Sequence, residues 1–174
     1  FNKLNVLIIG DVMVDAYMWG NVNRISPEAP VPVVTINKKE NRLGGAANVA
    51  LNIQAMGANP ILCSVIGDDD GAKTFLELLK ENKLSAKGIL KSKKRITTVK
   101  TRVISSNHQM LRVDEEIESS IDSKEIQSLI SEIKKLIASE KIDVIIFEDY
   151  DKGAINAELI KTVVNLAKQK GIPT

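Results

Sequence analysis

Gly44-Gly45-Ala46-Ala47-Asn48-Val49-Ala50, followed by Gly57 and then Gly67, is the stretch from which the fold can be read. A glycine pair at the entry of a helix leaves backbone N–H groups bare, so a polar ligand can approach more closely than side chains would permit. On these residues alone a plainer reading stays open: a tight turn into a helix that Gly57 caps in the left-handed conformation. The helix carries Ala46, Val49, Ala50, Ile53 and Met56 on one face. Asn5–Gly10 before it and Ile61–Ile66 after it are short, continuous β-rich runs, as buried parallel strands require, so the unit reads as one β-α-β step. Asp11 to Asp15 reads as a polar loop leaving the first strand.

The pattern continues toward the carboxyl end. A helix from about Asp69 to Asn82 buries Ala72, Phe75, Leu76 and Leu79, and Asp68 or Asp69 caps it. The next helix starts at Asp122, where Glu125 completes a capping-box spacing, and its stripe is Ile126, Leu129, Ile130, Ile133 and Ile137. Strand Val144–Phe147 precedes a last helix from Asn156 to Gly171, with Leu159, Ile160, Val163, Val164 and Ala167 inward. Alternating strands and helices argue for a doubly wound α/β sheet. Two segments lie outside that plan. Val31 to Ile36, and the pair Thr97–Ile104 and Gln109–Asp114 around the turn Ser105-Ser106-Asn107-His108, have the composition of half-exposed antiparallel strands and form a small separate sheet.

Composition narrows the function. In 174 residues, 24 basic and 22 acidic side chains leave a net charge of +2, and the longest basic run, Lys91-Ser92-Lys93-Lys94-Arg95, reads as a solvated loop. Neither nucleic acid nor a membrane surface is expected as a partner. No run approaches the ~18–20 apolar residues of a membrane span, and a cytosolic location is expected. Cys63 and His108 are each the only residue of their kind, which excludes an internal disulfide, His-based triads and zinc clusters. Gly67-Asp68-Asp69-Asp70-Gly71 lacks the ligand spacing of a calcium loop. Neither a Walker A sequence nor a dinucleotide fingerprint is present, which disfavours a Rossmann-type dehydrogenase.

The glycine stretch, with Gly44, Gly45, Ala46, Asn48, Ala50, Gly57 and Gly67 at matching spacing, resembles the first signature of the ribokinase/PfkB family of carbohydrate and nucleoside kinases. Arg24-Ile25-Ser26-Pro27-Glu28-Ala29-Pro30-Val31-Pro32-Val33 resembles the branch that phosphorylates heptose 7-phosphate in ADP-heptose and lipopolysaccharide core biosynthesis. So do Thr98 to Ser105, Leu111-Arg112-Val113-Asp114 and Asp149-Tyr150-Asp151-Lys152-Gly153. The resemblance implies the amino-terminal part of a ribokinase-like α/β/α sandwich, with lid strands near 16–36 and 97–114. It also implies a sugar phosphate as acceptor, ATP with Mg2+ as donor, and a homodimer formed through the lid. In the family the nucleotide site, anion hole and aspartate base come from the carboxyl-terminal half, around a Gly-Ala-Gly-Asp motif that this sequence does not contain. Residues 1–174 are therefore expected to be one portion of a kinase domain, inactive alone and without a catalytic base.

Substrate-binding candidates are set by chemistry and position together. The resemblance puts Gly44, Gly45 and Asn48 on the acceptor sugar, and the Asn48 amide can both donate to and accept from hydroxyls. Asp15 suits neighbouring hydroxyls because a carboxylate offers several acceptor lone pairs, whereas Asp11 is as readily a turn-stabilising residue. Lys100 and Arg102 are two apart on a strand and share a face, as a phosphate clamp needs. Arg112 on the partner strand and Lys152 in the loop after Val144–Phe147 are further cations for a phosphorylated substrate, with solvated surface charge as the alternative for each. Asp149 ends a strand on the ligand-binding edge, where a substrate or metal-water role is open. Tyr17, Met18 and Trp19 serve either packing or contact with substrate or partner chain. The readings carried forward are a heptose 7-phosphate kinase, a related kinase of another sugar, sugar phosphate or nucleoside, and a non-catalytic sugar-phosphate binding protein.

Overall fold

The computed structural model describes residues 2–174 and contains two four-stranded sheets. The first is wholly parallel, in the order β5-β4-β1-β8, built from β1 Asn5–Gly10, β4 Asn59–Ile66, β5 Gly88–Lys91 and β8 Val144–Glu148. Strand alternation divides its side chains between two faces. Val6 and Ile8 pack with α1 Ala46–Ala55 and α2 Asp70–Glu81 through Ala50, Ile53, Phe75 and Leu79. Leu7 and Ile9 pack with α3 Ser123–Ser139 and α4 Ala157–Lys170 through Leu129, Ile133, Leu159 and Val163. The result is a three-layer α/β/α sandwich whose central strand is buried on both sides, which is why β1 is a continuous apolar run.

Helix ends obey the sequence signals. Asp122 accepts from the Glu125 backbone N–H at 2.9 Å while the Glu125 side chain accepts from the Asp122 N–H at 3.2 Å, a complete capping box. Asn156 caps α4 through the Leu159 N–H at 2.8 Å, and Gly171 ends it at φ +67°. Of the two aspartates before α2, Asp69 is the cap; one oxygen accepts from Ala72 and the other from the Thr97 N–H, both at 2.7 Å, joining the helix to the start of the lid. Cys63 is fully buried in β4, and burial pushes its thiol up to about 12.

The second sheet, in the order β3-β2-β6-β7, is the lid. It is larger than the sequence pattern suggested. Asp11 to Asp15 is not a loop: β2 runs from Val12 to Ile25 and pairs antiparallel with β3 Pro32–Gly45 along its whole length. Val12, Val14 and Ala16 are buried, so the strand begins one residue beyond β1. The glycine pair accordingly ends a lid strand rather than sitting in a free turn. β6 Val99–Ser105 lies parallel to β2 and antiparallel to β7 His108–Glu115, with Ser106 and Asn107 at positive φ in the turn. Two helix residues read as inward, Met56 and Ile160, are exposed, because each lies at the margin of its apolar stripe. The short strand β5 carries no alternating pattern and was not among the expected elements.

Candidate active site

The site is assembled where β1 and β8 end beneath the lid. Asp11, only 3% exposed, comes directly after β1 and accepts three backbone N–H groups: Tyr150 at 2.9 Å and Lys152 at 3.1 Å on Oδ2, and Ala154 at 3.0 Å on Oδ1. Its carboxylate thus shapes the whole loop after β8, which makes it a turn-stabilising residue. From the other side Arg95 donates to the carbonyls of Lys152 and Ile117. Gly153, at φ +85°, permits the close pass against Ser119, where a Cβ would collide with the carbonyl oxygen. The backbone of Lys152 is therefore held at both its N–H and its C=O.

The glycine pair has two separate uses. A Cβ on Gly44 would lie 2.5 Å from Asp15 Oδ2, so the bare backbone there makes room for that carboxylate. Gly45, at φ 58° and ψ −138°, has a conformation that only glycine adopts readily, and a Cβ would strike the Asp11 carbonyl. The next N–H, that of Ala46, donates to this Asp11 carbonyl at 2.8 Å, so the helix start is not wholly bare, although no side chain caps it.

Across the cleft, Lys100 and Arg102 project from β6 and Arg112 from β7. Arg102 stands directly opposite Arg112 in the antiparallel register, an arrangement that repels unless anions intervene. Asp15 meets Arg102 at 2.6 Å and Asp114 meets Arg112 at 3.0 Å. Lys100 reaches Asp114 at 3.0 Å and Glu116 at 2.6 Å, and Lys152 reaches Glu116 at 3.1 Å and Glu118 at 2.9 Å. Hydrogen bonds from Lys100 and then Lys152 outweigh burial and hold the Glu116 carboxyl below the usual range. The hydrogen bonds that Lys152 donates to Glu118 and then Glu116 raise its ammonium above the ordinary lysine value.

These groups line a cleft of about 400 Å³ formed by Met13, Asp15, Gly45, Asn48, Lys100, Arg102, Arg112, Tyr150 and Lys152. Two candidates are not brought to it. Gly44 lies beneath Asp15, and Asp149 is exposed with its carboxylate turned onto the Asp151 N–H at 2.9 Å, a local turn bond that leaves it outside the lining. Met13 and Tyr150 enter the lining unannounced; alternation along β2 from Asp15 would have indicated Met13. A second cleft of about 420 Å³ opens on the other side of Asp15 and Asn48, toward Asn41, Arg42, Glu81 and Asn82. Tyr17 borders it, stacked on Trp19 at 5.3 Å with the Arg42 and Arg102 guanidinium groups 4.9 and 5.4 Å from its ring. Chemically, the first cleft offers hydroxyl acceptors on one wall and a cluster of cations on the other, the pairing that a phosphorylated polyol needs.

The sequence model of the pfkB family carbohydrate kinases matches residues 3–173. The chain belongs to that family. Among curated proteins, this pfkB-family chain is 43% identical over 164 residues to the bifunctional protein HldE of Helicobacter pylori strain G27, covering 94% of this chain and 35% of that protein. The chain thus spans about a third of the length of the curated relatives it matches. Phosphofructokinase-2 of Escherichia coli in complex with fructose-6-phosphate superposes with a TM-score of 0.67 at 14% identity, over 99% of this chain and 53% of that one. Ribokinase of Arabidopsis thaliana complexed with ribose and ATP gives a TM-score of 0.63 at 14% identity, over 99% of this chain and 52% of that one. The fold is ribokinase-like, an α/β sandwich with a small sheet as lid.

Proposed function

We propose that this chain forms the acceptor-sugar side of a kinase that transfers the γ-phosphoryl group of ATP, with Mg2+, to the anomeric hydroxyl of heptose 7-phosphate. The observation that carries the reading is the cleft itself, in which Asp15 and Asn48 face Lys100, Arg102, Arg112 and Lys152. A neutral sugar has no use for four cations; a sugar that already carries a phosphate does. The Arg24 to Val33 segment, which forms the end of β2, the hairpin loop and the start of β3, supports the heptose branch, as does the similarity to HldE.

In this reading Asp15 accepts from sugar hydroxyls and fixes the ring, Asn48 supplements it, and the cations hold the 7-phosphate away from the reacting hydroxyl. The chain's own contribution is positioning and the exclusion of water by the lid, which matters because water competes as phosphoryl acceptor. Among the described residues no group of three His, Cys, Asp or Glu side chains is placed to hold a metal ion. The nucleotide and its metal are assigned to residues beyond these. A cytosolic location is part of the same reading; no helix among the described residues is long and apolar enough to cross a membrane. The exposed Met110, Leu111 and Val113 on β7, an edge strand, suit a second copy of the chain across the lid.

The test is ATP-dependent phosphorylation by the full-length protein, measured on heptose 7-phosphate, fructose 6-phosphate and ribose. The expected order of kcat/KM has heptose 7-phosphate first. Equal or better turnover of either of the others would sink the heptose assignment, and no turnover of any sugar would favour a binding protein.

A further inference from the structure

The cleft cations do not stand independently, and the group that organises two of them is outside the cleft. Glu116 lies just past β7 and does not line the cavity. Its carboxylate places one oxygen on each of two ammonium groups, Oε2 at 2.6 Å from Lys100 and Oε1 at 3.1 Å from Lys152. Lys100 belongs to the lid strand β6, whereas Lys152 belongs to the loop after β8, so this one side chain bridges the lid to the main sheet. All three side chains are largely withdrawn from solvent, at 13% exposure for each lysine and 17% for Glu116, whereas Glu118, the other carboxylate on Lys152, is 71% exposed.

An ammonium group has three donors. Lys100 uses two, on Asp114 and Glu116, and Lys152 uses two, on Glu116 and Glu118. Each keeps one for the cleft that both line. Without a shared counter-ion two like charges on flexible four-carbon stems would move apart, each taking its free donor elsewhere. We infer that Glu116 is a positioning residue, which joins Lys100 and Lys152 into a single pair directed at the phosphate of the substrate.

This inference rests on the reading of the cleft as a sugar-phosphate site. In the full-length protein, Glu116→Gln keeps the shape and removes the charge that holds both lysines. KM for heptose 7-phosphate is expected to rise about tenfold, while kcat and the KM for unphosphorylated heptose stay within about twofold. A merely structural role would move both sugars together. A lower KM for the 7-phosphate would overturn the inference, because Glu116 would then be a competitor of the substrate anion. Replacing Lys100 and Lys152 together by Met separates the two claims. If that double variant keeps the preference for phosphorylated over unphosphorylated heptose, the phosphate assignment of the cleft fails. If it loses the preference while Glu116→Gln leaves KM unchanged, only the role of Glu116 fails.

Discussion

Asp15→Ala is expected to lower kcat/KM of the full-length protein for its sugar by about a hundredfold or more, with little change in melting temperature. A hydrogen bond to a charged group is worth about 1.5–3 kcal/mol, and a site built to accept from hydroxyls loses that for each hydroxyl it no longer meets. The fold has little at stake, because the one partner the carboxylate leaves behind, Arg102, lies at an open cleft where water can solvate it. Asp15→Asn keeps the volume over Gly44 and is expected to fall between wild type and Asp15→Ala. Steady-state kinetics beside thermal melts check this, and unchanged kinetics would remove Asp15 from the site.

Asp11→Ala should act in the opposite way, first on stability. Three N–H groups would lose their acceptor beneath a side chain that is almost wholly buried. At about 1–3 kcal/mol for each buried donor left unsatisfied, the loss should be about 3 kcal/mol or more. Activity should suffer with it, since this one carboxylate defines the loop that carries Lys152. Chemical denaturation of the two proteins measures the difference directly. A loss below about 1 kcal/mol would mean that water or a backbone shift replaces the carboxylate, and that the loop is held chiefly by Arg95 from the other side.

These residues also show what sequence can and cannot reveal here. The parallel strands and the helix caps were legible because their signals are local: a continuous apolar run for Asn5–Gly10, Asp122 with Glu125 for the start of α3, Gly171 for the end of α4. The start of β2 was not, because two aspartates close behind a strand-ending glycine look like a loop, and the alternation of Val12, Val14 and Ala16 is brief. Lys100 and Arg102 could be placed on one face by spacing alone, and Arg112 opposite them by the turn between β6 and β7. The meeting of Arg102 with Asp15 could not, since β2 and β6 are far apart in the chain and no local pattern records their register. Glu116 was missed because it comes after Asp114 and Glu115 in what reads as a solvated acidic run. The signal available was its i+2 relation to Asp114, which places both acids on the side of the lysines.

Two adjoining clefts border Asp15 and Asn48, and only one of them can receive the sugar with its phosphate on the lysines. A crystal structure of the full-length protein with heptose 7-phosphate measures this directly. The predicted result has sugar hydroxyls within hydrogen-bond distance of Asp15 and Asn48 and the phosphate oxygens on Lys100 and Lys152. A sugar seated instead against Asn41, Arg42 and Asn82, with those lysines untouched, would contradict it.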